Sequence, residues 1–171
     1  MNIFERLKKI KTICLDVDGV LTDSSLLLGP DAKLWRTMHA RDGFAMFAAL
    51  KKGYRLAIIT GGRNDMVENR LKALGIEDVF LASYDKVKVL EDYVCNNNIN
   101  LDELLFMGDD LNDFKVVQKA ACIACPADAC HEVKSIAHYI SGKKGGNGCV
   151  RDVIEKIMRL NDDWPDGSLG Y

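Results

Sequence analysis

The feature that most constrains this chain is a rhythm. Short apolar runs recur along it, and the residues between them carry helical spacing. TICLD (12–16), RLAIIT (55–60), DVFLA (78–82), LLFMG (104–108) and ACIAC (121–125) each read as a buried strand. Phe44, Phe47, Ala48 and Leu50 make one apolar helix face that Gly53 can stop. Met66, Val67, Leu71 and Leu74 make another, closed by Gly75. Asp85 can cap a third helix carrying Val87, Leu90 and Val94. Residues 113–121 fit a short fourth helix, and residues 150–160, with Val153, Ile154 and Ile157 inward, a fifth. Strands alternating with helices predict an α/β fold: a parallel sheet covered by helices on both faces. Residues 25–39, SLLLGPDAKLWRTMH, break the rhythm. Two strand-like arms flank Gly29-Pro30-Asp31, which predicts a β-hairpin projecting from the sheet. No repeat or linker divides the sequence, so residues 1–171 are expected to form one domain ending in a polar tail, 161–171.

Charge and cysteine usage exclude several classes. The 23 basic and 25 acidic side chains are well mixed, and without a basic stripe the chain lacks the footprint of a nucleic-acid binder. No apolar run approaches the roughly 20 residues of a membrane helix, and the N-terminus lacks a signal-peptide core, which predicts a cytoplasmic protein. Of the six cysteines only Cys122 and Cys125 have C-x-x-C spacing, and they lie within an apolar run. They are read as buried, reduced thiols rather than zinc ligands.

Parallel sheets bind ligands beyond the carboxyl ends of their strands. Those positions hold Asp16-Val17-Asp18-Gly19, then Thr60-Gly61-Gly62-Arg63, then Asp85-Lys86, then Gly108-Asp109-Asp110-Leu111-Asn112-Asp113. A parallel sheet would bring these acids, a hydroxyl and an ammonium to one edge. Clustered carboxylates repel one another, and a divalent cation is the natural compensation. Mg2+ suits them: carboxylates of Asp16 and Asp109, a backbone carbonyl at Asp18, a phosphate oxygen and waters would complete six oxygens. The set fits phosphoryl transfer. Asp16 can attack phosphorus, and Asp18 can serve as general acid and then base. Thr60, the Gly61 amide and Lys86 can hold the equatorial oxygens. Asp110 and Asp113 are read as caps that orient the following segment.

These four motifs, in this order, resemble those of the haloacid dehalogenase superfamily of phosphatases. The resemblance implies a Rossmann-like sheet and an aspartyl-phosphate intermediate on Asp16. Only 43 residues separate Asp16 from Thr60 and 25 separate Thr60 from Lys86, so neither interval holds a cap domain. An uncapped site needs a large substrate or a lid from a neighbouring subunit, and water exclusion favours the lid.

Three further segments narrow the resemblance. Asp16-Val-Asp18-Gly-Val-Leu-Thr-Asp23, His39-Ala40-Arg41-Asp42-Gly43 and Gly145-Gly-Asn-Gly-Cys-Val-Arg151-Asp152 are similar to the capless phosphatases of 3-deoxy-D-manno-octulosonate 8-phosphate. That likeness implies lipopolysaccharide-sugar synthesis and a homotetramer in which projecting hairpins associate and neighbours cover each site. It also implies that His39, Ala40, Arg41, Asp42, Gly43, Arg70 and Arg151 join Gly61, Gly62 and Arg63 in binding a sugar-acid phosphate. Many relatives carry Arg directly after the Thr/Ser-Gly of the second motif. Here that position is Gly62, and Arg63 follows. Phosphatases of nine-carbon sialic-acid-type 9-phosphates share the keto-acid head of the substrate and stand as the alternative. A receiver-like signalling domain also uses acids, Thr and Lys, but Asp18 argues for turnover. The loop 145–148 suits close approach of backbone to substrate, and Trp164, Leu169 and Tyr171 in the tail suit docking on a partner.

Overall fold

The computed structural model describes residues 2–29 and 33–167. The chain runs α1 (Ile3–Lys9), β1 (Thr12–Leu15), the hairpin strands β2 (Leu27–Leu28) and β3 (Leu34–Trp35), α2 (Ala40–Lys51) and β4 (Arg55–Ile59). It continues through α3 (Asp65–Ala73), β5 (Asp78–Phe80), α4 (Lys86–Asn96), β6 (Leu104–Met107), α5 (Phe114–Val117), β7 (Cys122–Cys125), α6 (His131–Ile136), β8 (Tyr139–Ile140) and α7 (Cys149–Leu160). The main sheet is parallel, in the order β5-β4-β1-β6-β7-β8.

Alternate side chains of each strand face opposite layers. Ile13, Leu15, Leu56, Ile58, Leu105 and Met107 pack with α1, α2, α3 and α7. Cys14, Ala57, Ile59, Leu104 and Phe106 pack with Leu90 and Tyr93 of α4 and with Val116 and Val117 of α5. Helices therefore cover both faces, as the apolar runs predict. All six cysteines are free, and Cys14, Cys122, Cys125 and Cys149 are buried. Among the described residues no helix is long and apolar enough to cross a membrane.

Three elements go beyond the expected set. Helix α1 is short and is fixed by a reciprocal cap between Asn2 and Glu5. Helix α6 spans six residues, and β8 adds only Tyr139 and Ile140 at the sheet edge. The helix expected over 113–121 is a single turn, Phe114–Val117, after which the chain turns into β7.

The hairpin is present. Leu27 pairs with Trp35 and Leu28 with Leu34, antiparallel, and the amide of Gly29 donates to the carbonyl of Lys33 at 3.0 Å. Pro30 and Asp31 of the turn lie outside the described residues, as do Leu169 and Tyr171 of the tail. Trp164 packs within its own chain, edge-on to Phe44 at 6.1 Å and 4.6 Å from the Arg151 guanidinium.

The strand order reverses beside β1: the chain fills β4 and β5 on one side, then β6, β7 and β8 on the other. Such a switch point opens a crevice at the carboxyl ends of the central strands. Register places Leu15 opposite Met107, and the Asp16 amide donates to the Met107 carbonyl at 3.1 Å. Asp16 and Asp109 therefore emerge side by side.

Candidate active site

Asp16, Asp109 and Asp113 each offer a carboxylate oxygen, and these oxygens lie within 4.8 Å of one another. Asp16 and Asp113 are buried and Asp109 half-buried. Burial, and next the charge of Asp113, push the Asp16 carboxyl up to about 8 and that of Asp109 to about 7. Lys86, first residue of α4, answers part of this charge. Its ammonium donates to Asp113 Oδ1 at 2.6 Å and lies 2.9 Å from Asp16 Oδ1. Burial would lower the Lys86 pKa, but Asp16 and Asp113 outweigh it and raise it.

The three acids have different tasks. Asp113 is held at both oxygens: Oδ1 accepts from Lys86, and Oδ2 accepts from the Asp109 amide at 3.1 Å. It is more than a cap, because it joins the third and fourth strand ends and, through Lys86, the first. Asp16 Oδ1 is buried, with the Lys86 ammonium 2.9 Å away as an ion-pair partner and no hydrogen bond besides. Lone pairs of Asp16 and Asp109 thus remain for a cation. Gly19, at φ +87°, makes their approach possible: a Cβ there would stand 1.9 Å from Asp109 Oδ2. Asp110 is exposed and shapes the turn, its Oδ1 accepting from the Leu111 amide at 2.8 Å.

Thr60 is buried beside this cluster, its hydroxyl oxygen accepting from the Gly62 amide at 3.2 Å. A small cavity is lined by Val17, Asp18, Arg36, Thr60, Gly62, Asn64, Val67 and Leu81. Arg36 is the residue that sequence reasoning missed. Its Nε donates to Asp18 Oδ1 at 2.6 Å and its Nη2 to Asp18 Oδ2 at 3.0 Å. It lies 18 residues away, on the hairpin, and no spacing rule connects the two. Its position one residue past a strand-like arm was the available signal.

Of the segment expected to bind substrate, His39, Ala40, Asp42 and Gly43 line one groove with Arg70, Met38 and Leu21, and a Cβ on Gly43 would lie 3.1 Å from Arg70 Nη2. Arg41 is exposed. Asp42 is buried and turned inward, its Oδ1 accepting from the Arg151 amide at 2.6 Å. It therefore caps the start of α7, and it also lines that groove. Arg151 pairs with Glu155 and stacks on Trp164. Arg63 is exposed and lines a groove with Lys33 and Met66. The guanidinium beside Gly62 belongs to Arg36, whose Nη2 would be 3.4 Å from a Cβ there.

The loop 145–148 closely approaches the backbone of residues 19–23. A Cβ on Gly145 would stand 2.0 Å from the Gly19 carbonyl oxygen, and the Gly146 amide donates to the Val20 carbonyl at 3.0 Å.

Comparison with known proteins matches this arrangement. Residues 77–153 fit the family model of haloacid dehalogenase-like hydrolases. The 3-deoxy-D-manno-octulosonate 8-phosphate phosphatase of Escherichia coli K12 is 30% identical over 157 residues, covering 92% of this chain and 84% of that protein. The chain belongs to this phosphatase family. The Yersinia pestis member is 29% identical over 169 residues, 99% of this chain and 90% of its own. Among solved members, the Moraxella catarrhalis enzyme in complex with a magnesium ion, a phosphate ion and a KDO molecule superposes with TM-score 0.89 at 34% identity, covering 92% of this chain and 91% of that one. In this chain the structure sets Asp113 beside Lys86 and Asp109, and Arg36 beside Asp18.

Proposed function

We propose that this phosphatase hydrolyses 3-deoxy-D-manno-octulosonate 8-phosphate to the free sugar acid and phosphate through an aspartyl-phosphate on Asp16. The observation that carries the reading is the junction of Asp16, Asp109 and Asp113 with Lys86 at the sheet's switch point. Likeness to relatives named for that substrate supports the sugar.

The donor set fits Mg2+, the ion held by the Moraxella relative: all-oxygen, acidic, with a buried Asp16 oxygen free of hydrogen bonds. Asp16 and Asp109 would hold the ion, with the Asp18 carbonyl as a further ligand. When bound, magnesium neutralises the crowded carboxylates and polarises the phosphoryl oxygens.

Asp16 then attacks phosphorus as the bond to the sugar oxygen breaks. Asp18 gives the departing oxygen a proton. It next takes one from the water that attacks phosphorus and frees Asp16. Thr60, the Gly61 amide and Lys86 stabilise the transferring group. His39, Gly43 and Arg70 form the wall for the sugar acid, with Arg41 and Arg63 at its rim.

One catalytic domain spans 1–171 in this reading, works in the cytoplasm in lipopolysaccharide-sugar synthesis, and assembles as a homotetramer whose neighbours cover each site. Phosphate release with Mg2+ from the eight-carbon 8-phosphate and a nine-carbon sialic-acid-type 9-phosphate tests it. Wild type should prefer the eight-carbon ester, and Asp16→Asn should release none. Equal release by the variant would remove Asp16 as nucleophile, and preference for the nine-carbon ester would replace the substrate.

A further inference from the structure

The Arg36–Asp18 pair does more than join a hairpin to a loop. Both oxygens of Asp18 are occupied by one guanidinium, and Thr22 Oγ1 lies 3.4 Å from Oδ1 as well. A leaving oxygen or an attacking water must reach one of those same atoms. The pair is also unequal in burial. The Arg36 side chain is 6% exposed and that of Asp18 34%. Asp18 is therefore wet enough to stand alone, whereas a buried guanidinium needs an anion. The third nitrogen, Nη1, donates to the Leu34 carbonyl at 3.2 Å, which fixes the fork to the hairpin.

Arg36 also sits between two spaces. On one side is the cavity lined by Asp18, Thr60 and Gly62. On the other is a groove of about 260 Å3 lined by Trp35, Arg36, Met38, Asn64, Met66, Val67 and Arg70. A phosphate ester bound across both would bring any second anionic group beside Arg36, with Arg70 on the same wall. Gly62 faces the pair directly: a Cβ there would touch both Arg36 Nη2 and Asp18 Oδ2 at 3.4 Å.

From this geometry we infer that Arg36 is a specificity-determining latch: it holds Asp18 closed until a carboxylate on the substrate takes the guanidinium and frees Asp18. The inference rests on the phosphatase reading above, in which Asp18 moves the protons. A carboxylate matches the fork as Asp18 does, bidentately, so one partner replaces the other without stranding a buried charge. Substrates without the carboxylate leave the latch closed and turn over slowly.

The test compares wild type, Arg36→Met and Arg36→Lys, with Mg2+, on the eight-carbon sugar-acid phosphate and on p-nitrophenyl phosphate, which has no carboxylate. For Arg36→Met, kcat/KM on the sugar-acid phosphate should fall about 10- to 100-fold, the worth of a lost charged fork. Turnover of p-nitrophenyl phosphate should rise several-fold in the same variant. Arg36→Lys, which keeps the charge without the fork, should fall between. Binding of the phosphate-free sugar acid, followed by calorimetry, should weaken about tenfold in Arg36→Met. A proportional loss on both esters would reduce Arg36 to a structural or phosphoryl contact and overturn the latch, and so would unchanged kinetics. Unaltered sugar-acid binding would overturn it even if neither ester were turned over. Wild type inactive on both esters, or Asp16→Asn as active as wild type, would instead defeat the phosphatase reading.

Discussion

Asp16 and Asp109 carry the site's electrostatic problem. Both are pushed upward by burial and then by Asp113, to about 8 and about 7, against an ordinary value of 3.8. Without a cation, the folded protein holds protons on these groups where the unfolded chain has released them. A folded state that binds more protons loses stability as pH rises. The loss should run from the ordinary carboxylate value up to about 8. Magnesium requires the deprotonated carboxylates, so its stabilisation grows over the same window. Thermal melts in chelator should therefore fall between about pH 5 and about pH 8.5, while melts in millimolar Mg2+ hold nearly level. A gap between the two conditions that is equal at both pH values would show that these carboxylates do not bind the ion.

At the scale of elements, the catalytic loop 17–22 is clamped from behind. The Thr22 amide closes it onto the Val17 carbonyl at 3.0 Å, and loop 145–148 presses on its outer side. Gly145→Ala puts a Cβ 2.0 Å from the Gly19 carbonyl oxygen, and neither side is a flexible side chain that can yield. The expected cost is about 1–3 kcal/mol of stability. Phosphate release should fall about 100-fold, because a displacement near 1 Å in a catalytic group is worth that much. Gly142→Ala is the control, since nothing lies within 4 Å of its Cβ position. Urea denaturation and phosphate release check both, and a Gly145→Ala enzyme with wild-type turnover would show that the clamp does not position Asp18. This loop also marks where the sequence stops speaking. β1, β4, β6 and β7 were legible because each is mostly a run of buried side chains, β5 because its half-buried residues sit in the apolar run 78–82, and strand-end placement followed from parallel topology. β8 has two residues and α6 one and a half turns, too short for any period to register. Asp42, Arg36 and the partner of loop 145–148 were illegible for another reason. Their contacts join residues 109, 18 and 126 positions apart, which only the folded chain brings together.

Over the whole molecule, the uncapped site and the hairpin pose complementary problems. Leu26, Leu27, Leu28, Leu34 and Trp35 are 45%, 65%, 75%, 38% and 50% exposed. The two cross-strand pairs, Leu27 with Trp35 and Leu28 with Leu34, are neighbours along the ribbon. Successive pairs point to opposite faces, so the ribbon is apolar on both. A ribbon of this kind is satisfied only when surrounded, which favours several hairpins packed together over a two-sided contact. Its base is tied to the site: the Asn64 side-chain amide donates to the Leu34 carbonyl at 2.6 Å, and Arg36 grips Asp18. Assembly through the hairpins would therefore set the lid and the latch together. Changing Leu27 and Leu28 together to Glu should leave the fold intact, since both side chains point away from the core clusters. Light scattering should then report a monomer in place of the proposed homotetramer. Turnover of the sugar-acid phosphate should drop about tenfold or more as water enters the uncovered site. Wild-type specific activity should likewise fall on dilution toward the dissociation constant of the assembly. A monomeric variant with full turnover would mean that each chain covers its own site. An oligomer that survives both charges would place the interface elsewhere on the molecule.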